Sequence, residues 1–161
     1  MNVYFDTIGC RLNEAEVGTW ARDFRRIGHH VVAAPEQAEL MVFNSCAVTS
    51  DAAKRSRQVM RRLHRANPGA KLVLTGCYSD LEPEAVKALA GVDAIIPNVD
   101  KDKFLSSVSE LLDLPTMPEM ATDSDGQHVF RDRRTRAFVK VQDGCRNQCT
   151  FCVVTVARGS E

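Results

Sequence analysis

Three thiols lie within one short run, CRNQCTFC, at Cys145, Cys149 and Cys152. Three more are scattered, at Cys10, Cys46 and Cys77, yet each closes a similar phrase: TIGC, FNSC and LTGC. Three cysteines can bind zinc with an open fourth position, or three corners of a four-iron cluster. Zinc motifs usually come as paired CxxC or with a histidine nearby. CxxxCxxC has neither, and no spacing ties His64 or His128 to it. A thiolate set of this kind suits an iron–sulfur cluster, and three protein ligands would leave one iron free for a substrate or cofactor.

A secreted disulfide scaffold would also use six cysteines, but it fits poorly here. Hydrophobic residues make up 44% of 161, enough for a core without staples. The opening MNVYFDTIGCRLNEAE has neither the basic nor the apolar region of a signal peptide. Apolar runs such as LMVF and VVAA are too short to span a membrane. The expectation is a cytoplasmic protein with no membrane partner, where thiols stay reduced and clustered cysteines are ligands or reactive groups. Lysine plus arginine equal aspartate plus glutamate at 21 each, which argues against binding nucleic acid by overall charge, though not against a local basic patch.

The elements that must place these thiols alternate between strand and helix. VYFDTIG (3–9), HVVAA (30–34), LMVFNS (40–45), KLVLTG (71–76) and DAIIP (93–97) read as strands. Between them the spacing predicts helices. The first runs over 13–27, with Asn13 as cap, Glu16 completing a capping box, Gly28 as stop, and Val17, Trp20, Phe24 and Ile27 facing inward. The second runs over 50–66, with Val59, Met60 and Leu63 inward, and Asn67-Pro68-Gly69 ends it. Another starts at Pro83 and ends near Gly91. The last covers 100–113, with Phe104, Leu105, Val108, Leu111 and Leu112 on one side. Such alternation predicts an α/β fold: a parallel, doubly wound sheet of flavodoxin- or Rossmann-like type.

The pattern divides the chain into an N-terminal domain over residues 1–113, a linker over 114–134, and the start of a second domain over 135–161, in which RAFVKVQDG (136–144) reads as one strand leading into the cysteine loop.

Cys10, Cys46 and Cys77 each follow a strand and precede a helix. In a parallel sheet all strand C-termini share one edge, where ligands bind, so three thiols on that edge can converge. Gly9 and Gly76 would permit sharp turns or close approach of a bulky ligand. A single free cysteine is more often a small buried hydrophobe; independent burial does not explain three in one topological position. Glu14, Glu16 and Asp80 read as helix-start acids, and Asn13 and Asn44 as capping or turn residues, with hydrogen bonding near a cluster as their functional alternative.

FVKVQDGCRNQCTFC, TIGCRLNEAE, VFNSCAVTSDAAKRSRQ and LVLTGCYSDLEPE together resemble the cysteine blocks of the radical S-adenosylmethionine (SAM) methylthiotransferases, over about residues 2–98 and 136–159. The resemblance implies two 4Fe–4S clusters. Cys145, Cys149 and Cys152 match the ligands of the cluster that cleaves SAM, and Phe151 matches a position whose backbone lies near the adenine of SAM. Cys10, Cys46 and Cys77 match the ligands of the auxiliary cluster, whose open iron carries the sulfur to be inserted. Members insert a methylthio group into a C–H bond, of adenosine-37 in the anticodon loop of certain tRNAs or of an aspartate β-carbon in a ribosomal protein, with an electron donor and a sulfur source. NSCAVTSDAAKRSRQ and the short cysteine loop look most like the branch acting at C2 of N6-threonylcarbamoyladenosine, whereas VVTVARG stands where the family often has IPxxRG. The second domain would then be a truncated radical SAM barrel, and this chain alone is expected to be inactive. The rival readings are the ribosomal-protein enzyme and a non-enzymatic zinc or redox module. KRSRQVMRRLHR (54–65) and RDRRTR (131–136) read as solvated charged faces, with the tRNA backbone as the functional alternative.

Overall fold

The computed structural model describes residues 1–89, 91–112, 140–147 and 149–160. The predicted linker and residues 136–139 of the predicted strand lie outside them. Five strands form one all-parallel sheet: β1 (Asn2–Thr7), β2 (His30–Val31), β3 (Leu40–Ser45), β4 (Lys71–Gly76) and β5 (Ala94–Ile95), in the order β2-β1-β3-β4-β5. This is the doubly wound order expected from the alternation, with its reversal between β1 and β3.

The sheet is covered on both faces because its strands are apolar on both. In β3, Leu40 and Val42 point into one core with Val3, Phe5 and Val73, while Met41 and Phe43 point into the other with Leu72 and Leu74. Successive side chains alternate across a strand, so an unbroken apolar run needs a layer on each side. The first layer is α1 (Arg11–Arg26) and α5 (Phe104–Leu111), which meet where Trp20 stacks on Phe104 at 4.0 Å between ring centroids. The second holds α2 (Ser50–Ala66) and α4 (Pro83–Lys87), which bring Met60, Leu63 and Val86 onto the sheet. The Thr49 hydroxyl accepts from the Ala52 N–H and caps α2. Between β4 and α4, Cys77–Leu81 coils as a short helix, α3.

Several expectations need correction. Helix α1 starts at Arg11 with Cys10 at its N-cap, so Asn13 and Glu16 lie inside it and form no capping box. The last helical segment opens as a 3-10 turn over Asn98–Lys103, and Leu111 is exposed, since only the Phe104 and Val108 side of α5 meets the core. Lys140–Gly144 do not form a strand. A strand needs a neighbour to pair with, and the five-stranded sheet pairs none of its strands with these residues. They lead instead through the cysteine loop to α6 (Val154–Arg158), which packs on α3 and on the 3-10 turn. Among the described residues, no helix is long and apolar enough to cross a membrane.

Candidate functional site

The register of the sheet aligns the strand ends. Thr7 pairs with Asn44 and Asn44 with Thr75, while Ser45 pairs with Gly76. Cys10, Cys46 and Cys77 follow these ends, on three adjacent strands, and Cys10 and Cys46 flank the reversal in strand order where ligands of such sheets bind. Cys46 and Cys77 are buried and Cys10 is exposed.

Two glycines permit this crowding. Gly9 has φ +122°, and a Cβ there would meet the Cβ of Cys46 at 2.8 Å and its Sγ at 3.1 Å. Gly76 has φ +101°, and a Cβ would run into the Ser45 carbonyl. Both positions need glycine for backbone conformation and for space.

Polar side chains tie the rim together. Asn13 donates to the carbonyls of Ile8 (2.9 Å) and Ser45 (3.3 Å), and its Oδ1 faces the Cys10 thiol at 3.5 Å. The Ser56 hydroxyl, on α2, donates to the Cys46 carbonyl at 2.8 Å and accepts from the Cys46 N–H at 3.1 Å. The Ser45 hydroxyl donates to the Thr75 carbonyl at 2.6 Å.

Behind this rim lies a buried charge network. Glu16, Lys101 and Arg158 have side chains only 6%, 2% and 5% exposed. The two Glu16 oxygens are divided: Oε2 accepts from Lys101 Nζ at 2.8 Å and from Asn44 Nδ2 at 2.8 Å, and Oε1 accepts from Arg158 at 2.9 Å. Arg158 also donates to Asp143 Oδ1 and Asn13 Oδ1, both at 2.7 Å. Burial alone would push the Glu16 carboxyl up, but Lys101 and Arg158 outweigh it and hold it below the usual carboxylate range. Burial lowers Lys101 against the pull of Glu16. Burial pushes the Cys77 thiol up, opposed by the adjacent Arg158 and Lys101. Glu16, Asn13 and Asn44 are thus network members and not the helix-start acid, cap and turn residue expected of them, because each finds a buried partner from elsewhere in the chain.

The second thiol group is less enclosed. Cys145 and Cys152 are half-buried, Cys149 is exposed, and the Phe151 ring is 91% exposed. The Cys145 N–H donates to the Gly159 carbonyl at 3.1 Å, and the Thr155 hydroxyl sits between the carbonyls of Cys145 (3.0 Å) and Asn147 (2.9 Å), so α6 holds the loop's lead-in.

The donor chemistry of both triads fits an iron–sulfur group, being thiol-only with no competing histidine. Among the described residues, no three His, Cys, Asp or Glu side chains stand together as a ready ligand set. The placement of Cys10, Cys46 and Cys77 on one rim is compatible with such a group, with Cys46 and Cys77 buried and Cys10 exposed.

A family model described as "Uncharacterized protein family UPF0004" matches residues 2–97. The chain belongs to that family. Over 99% of its length it is 33% identical to a threonylcarbamoyladenosine tRNA methylthiotransferase, MtaB, of Aquifex aeolicus, covering 40% of that protein. A protein of the same name from Bacillus subtilis is 34% identical over 98% of the chain and 36% of its own length. A tRNA-2-methylthio-N(6)-dimethylallyladenosine synthase of Thermodesulfovibrio yellowstonii is 30% identical over 99% of the chain and 38% of its own length. The methylthiotransferase resemblance drawn from the four cysteine blocks therefore holds at the level of the family. The UPF0004 match spans the whole sheet and the Cys10, Cys46 and Cys77 rim. The chain spans about two fifths of the length of the curated relatives it matches.

Sequence reasoning missed Lys101, Arg158 and Ser56. Lys101 sits in DKDK, which reads as solvated surface. Ser56 did carry a signal: it shares the buried stripe of Ala53, Met60 and Leu63, where an unpaired hydroxyl would be costly. Arg158 lies in the VVTVARG segment quoted for the family, but nothing local points to its partners.

Proposed function

We propose that this chain supplies the cysteine-bearing N-terminal part of a tRNA methylthiotransferase that acts by radical SAM chemistry. The observation that supports this reading is that Cys10, Cys46 and Cys77 each follow the end of one of three adjacent strands, in a chain nearly all of which aligns with proteins of that name. Cys145, Cys149 and Cys152 would hold one 4Fe–4S cluster and Cys10, Cys46 and Cys77 the other. When bound, the first supplies an electron for reductive cleavage of SAM, and the second presents the sulfur to be transferred.

The chain's own residues do the positioning. Gly9 and Gly76 leave room at the rim, Ser56 and Asn13 fix the backbone around Cys46 and Cys10, and Thr155 fixes the backbone at Cys145. Phe151 is exposed beside the second triad, and by the family resemblance its backbone would border the adenine of SAM. The substrate we assign is N6-threonylcarbamoyladenosine in tRNA, the nucleoside several relatives are named for, and by the family resemblance it is adenosine-37, modified at C2. An electron donor and a sulfur source complete the partners. The exposed cations Lys54, Arg55, Arg61 and Arg65 on α2 are suited to the tRNA backbone.

The test is a chimera in which residues 1–160 replace the matching part of the Bacillus subtilis relative, with the methylthio content of tRNA nucleosides read by mass spectrometry. We expect 2-methylthio-N6-threonylcarbamoyladenosine, lost on Cys46→Ala. A folded, iron-loaded chimera that leaves tRNA unmodified would contradict the assignment.

A further inference from the structure

The segment bearing the second triad meets the strand-end rim where α6 packs on α3 and on the 3-10 turn, and one side chain there reaches several rim residues at once. Arg158 lies at the end of α6, and its guanidinium spreads over residues from three places. Nη1 donates to Glu16, inside α1, and to Asp143, two positions before Cys145; Nη2 donates to Asn13, whose Oδ1 also faces the Cys10 thiol. The helix that carries Arg158, α6, packs on α3, whose first residue is Cys77. Beside it, Asn98 donates to the Ala157 carbonyl, and Ala157 is buried. The Lys140–Asp102 pair also crosses between the segments, but its aspartate is exposed, and exposed pairs contribute little.

We propose that Arg158 is a positioning residue that seats the CxxxCxxC segment on the rim formed by Cys10, Cys46 and Cys77, keeping the two triads at one separation. The planar fork suits this role. It serves Glu16, Asp143 and Asn13 at once in fixed directions, which a single ammonium group does not reproduce. The other Glu16 oxygen accepts from Lys101 and Asn44, so the carboxylate is fixed from both sides. Two residues that flank the second triad, Asp143 and Arg158, thereby report on residues that flank the first. This inference goes beyond the methylthiotransferase reading, and its test uses ligand-free protein, so absence of iron would leave it readable.

The experiment is timed alkylation of the reduced, ligand-free chain with N-ethylmaleimide, resolved cysteine by cysteine, alongside hydrogen exchange. In the wild type, buried Cys77 should react slowly and exposed Cys149 fast. In Arg158→Ala we expect the Cys77 rate to rise at least about tenfold and α3 exchange to quicken, while β3 exchange is unchanged. Glu16→Gln should raise the Cys77 rate by removing the same bond, and should add little to Arg158→Ala, since the two act on one contact. Arg158→Lys should fall between wild type and Arg158→Ala. If Arg158→Ala unfolds the sheet, losing β3 protection, Arg158→Lys carries the comparison. Unchanged Cys77 labelling in Arg158→Ala with β3 intact, or wild-type labelling in Arg158→Lys, would overturn the proposal.

Discussion

Glu16 and Arg158 are 142 residues apart in the chain and 2.9 Å apart in the structure, with both side chains almost wholly removed from solvent. The contact joins the first helix of the α/β unit to the last helix of the cysteine segment. A buried pair of this kind gains little over apolar packing, but breaking it from one side strands the remaining charges.

That asymmetry gives the first prediction. Glu16→Gln keeps the shape and leaves Lys101 and Arg158 without their carboxylate, so we expect a loss of about 3 kcal/mol near neutral pH, read by urea unfolding followed through Trp20. The loss should also depend on pH. Because Glu16 is held below its ordinary value of 4.5, its contribution is fully present above about pH 4.5 and fades as pH falls through the depressed value. The gap between wild type and Glu16→Gln should therefore narrow on acidification. A constant gap from pH 7 to about pH 3 would show that the carboxylate is not stabilised by its cations.

The network also marks the limit of what the sequence makes legible. The runs 40–45, 50–66 and 71–76 emerge with the same bounds in sequence and structure, because apolar strands and an amphipathic helix closed by Asn67-Pro68-Gly69 are local signals. The strand order follows from βα alternation. The placement of three cysteines at strand ends is legible for the same reason. Asn13 and Glu16 mimic a capping box by spacing alone, and only the folded chain shows that their partners are Ser45, Lys101 and Arg158. No local pattern encodes a pairing across 142 residues, and Lys101 is indistinguishable in sequence from its exposed neighbours.

Gly76 tests the geometry of the rim without touching a thiol. With φ at +101° and the Ser45 carbonyl in the way of any Cβ, Gly76→Ala strains the backbone and displaces the β3 end. We expect a loss of at least about 2 kcal/mol, measured by the urea midpoint at unchanged m. A change within about 0.5 kcal/mol would mean that the turn before Cys77 relaxes freely.

His29 should dominate the response to mild acid. It is buried against Phe24, its Nε2 has no hydrogen-bond partner, and burial holds its pKa below the ordinary 6.5, with the N-terminal ammonium and His30 adding to this and Glu39 opposing it. Below about pH 6.5 the unfolded chain takes up this proton more readily than the folded one, so stability falls as pH falls. We expect the thermal midpoint to drop between about pH 7 and 5.5 in the wild type and to stay flat in His29→Leu. Parallel profiles for the two proteins would contradict this.

Our proposal that the thiols hold two separate iron–sulfur clusters is tested most directly by iron and acid-labile sulfide in anaerobically purified protein, before and after Cys10, Cys46 and Cys77 are together replaced by alanine. We expect iron and sulfide in the parent chain, falling to a lower but nonzero level in the triple variant. Zinc without sulfide, or no metal in either protein, would contradict it.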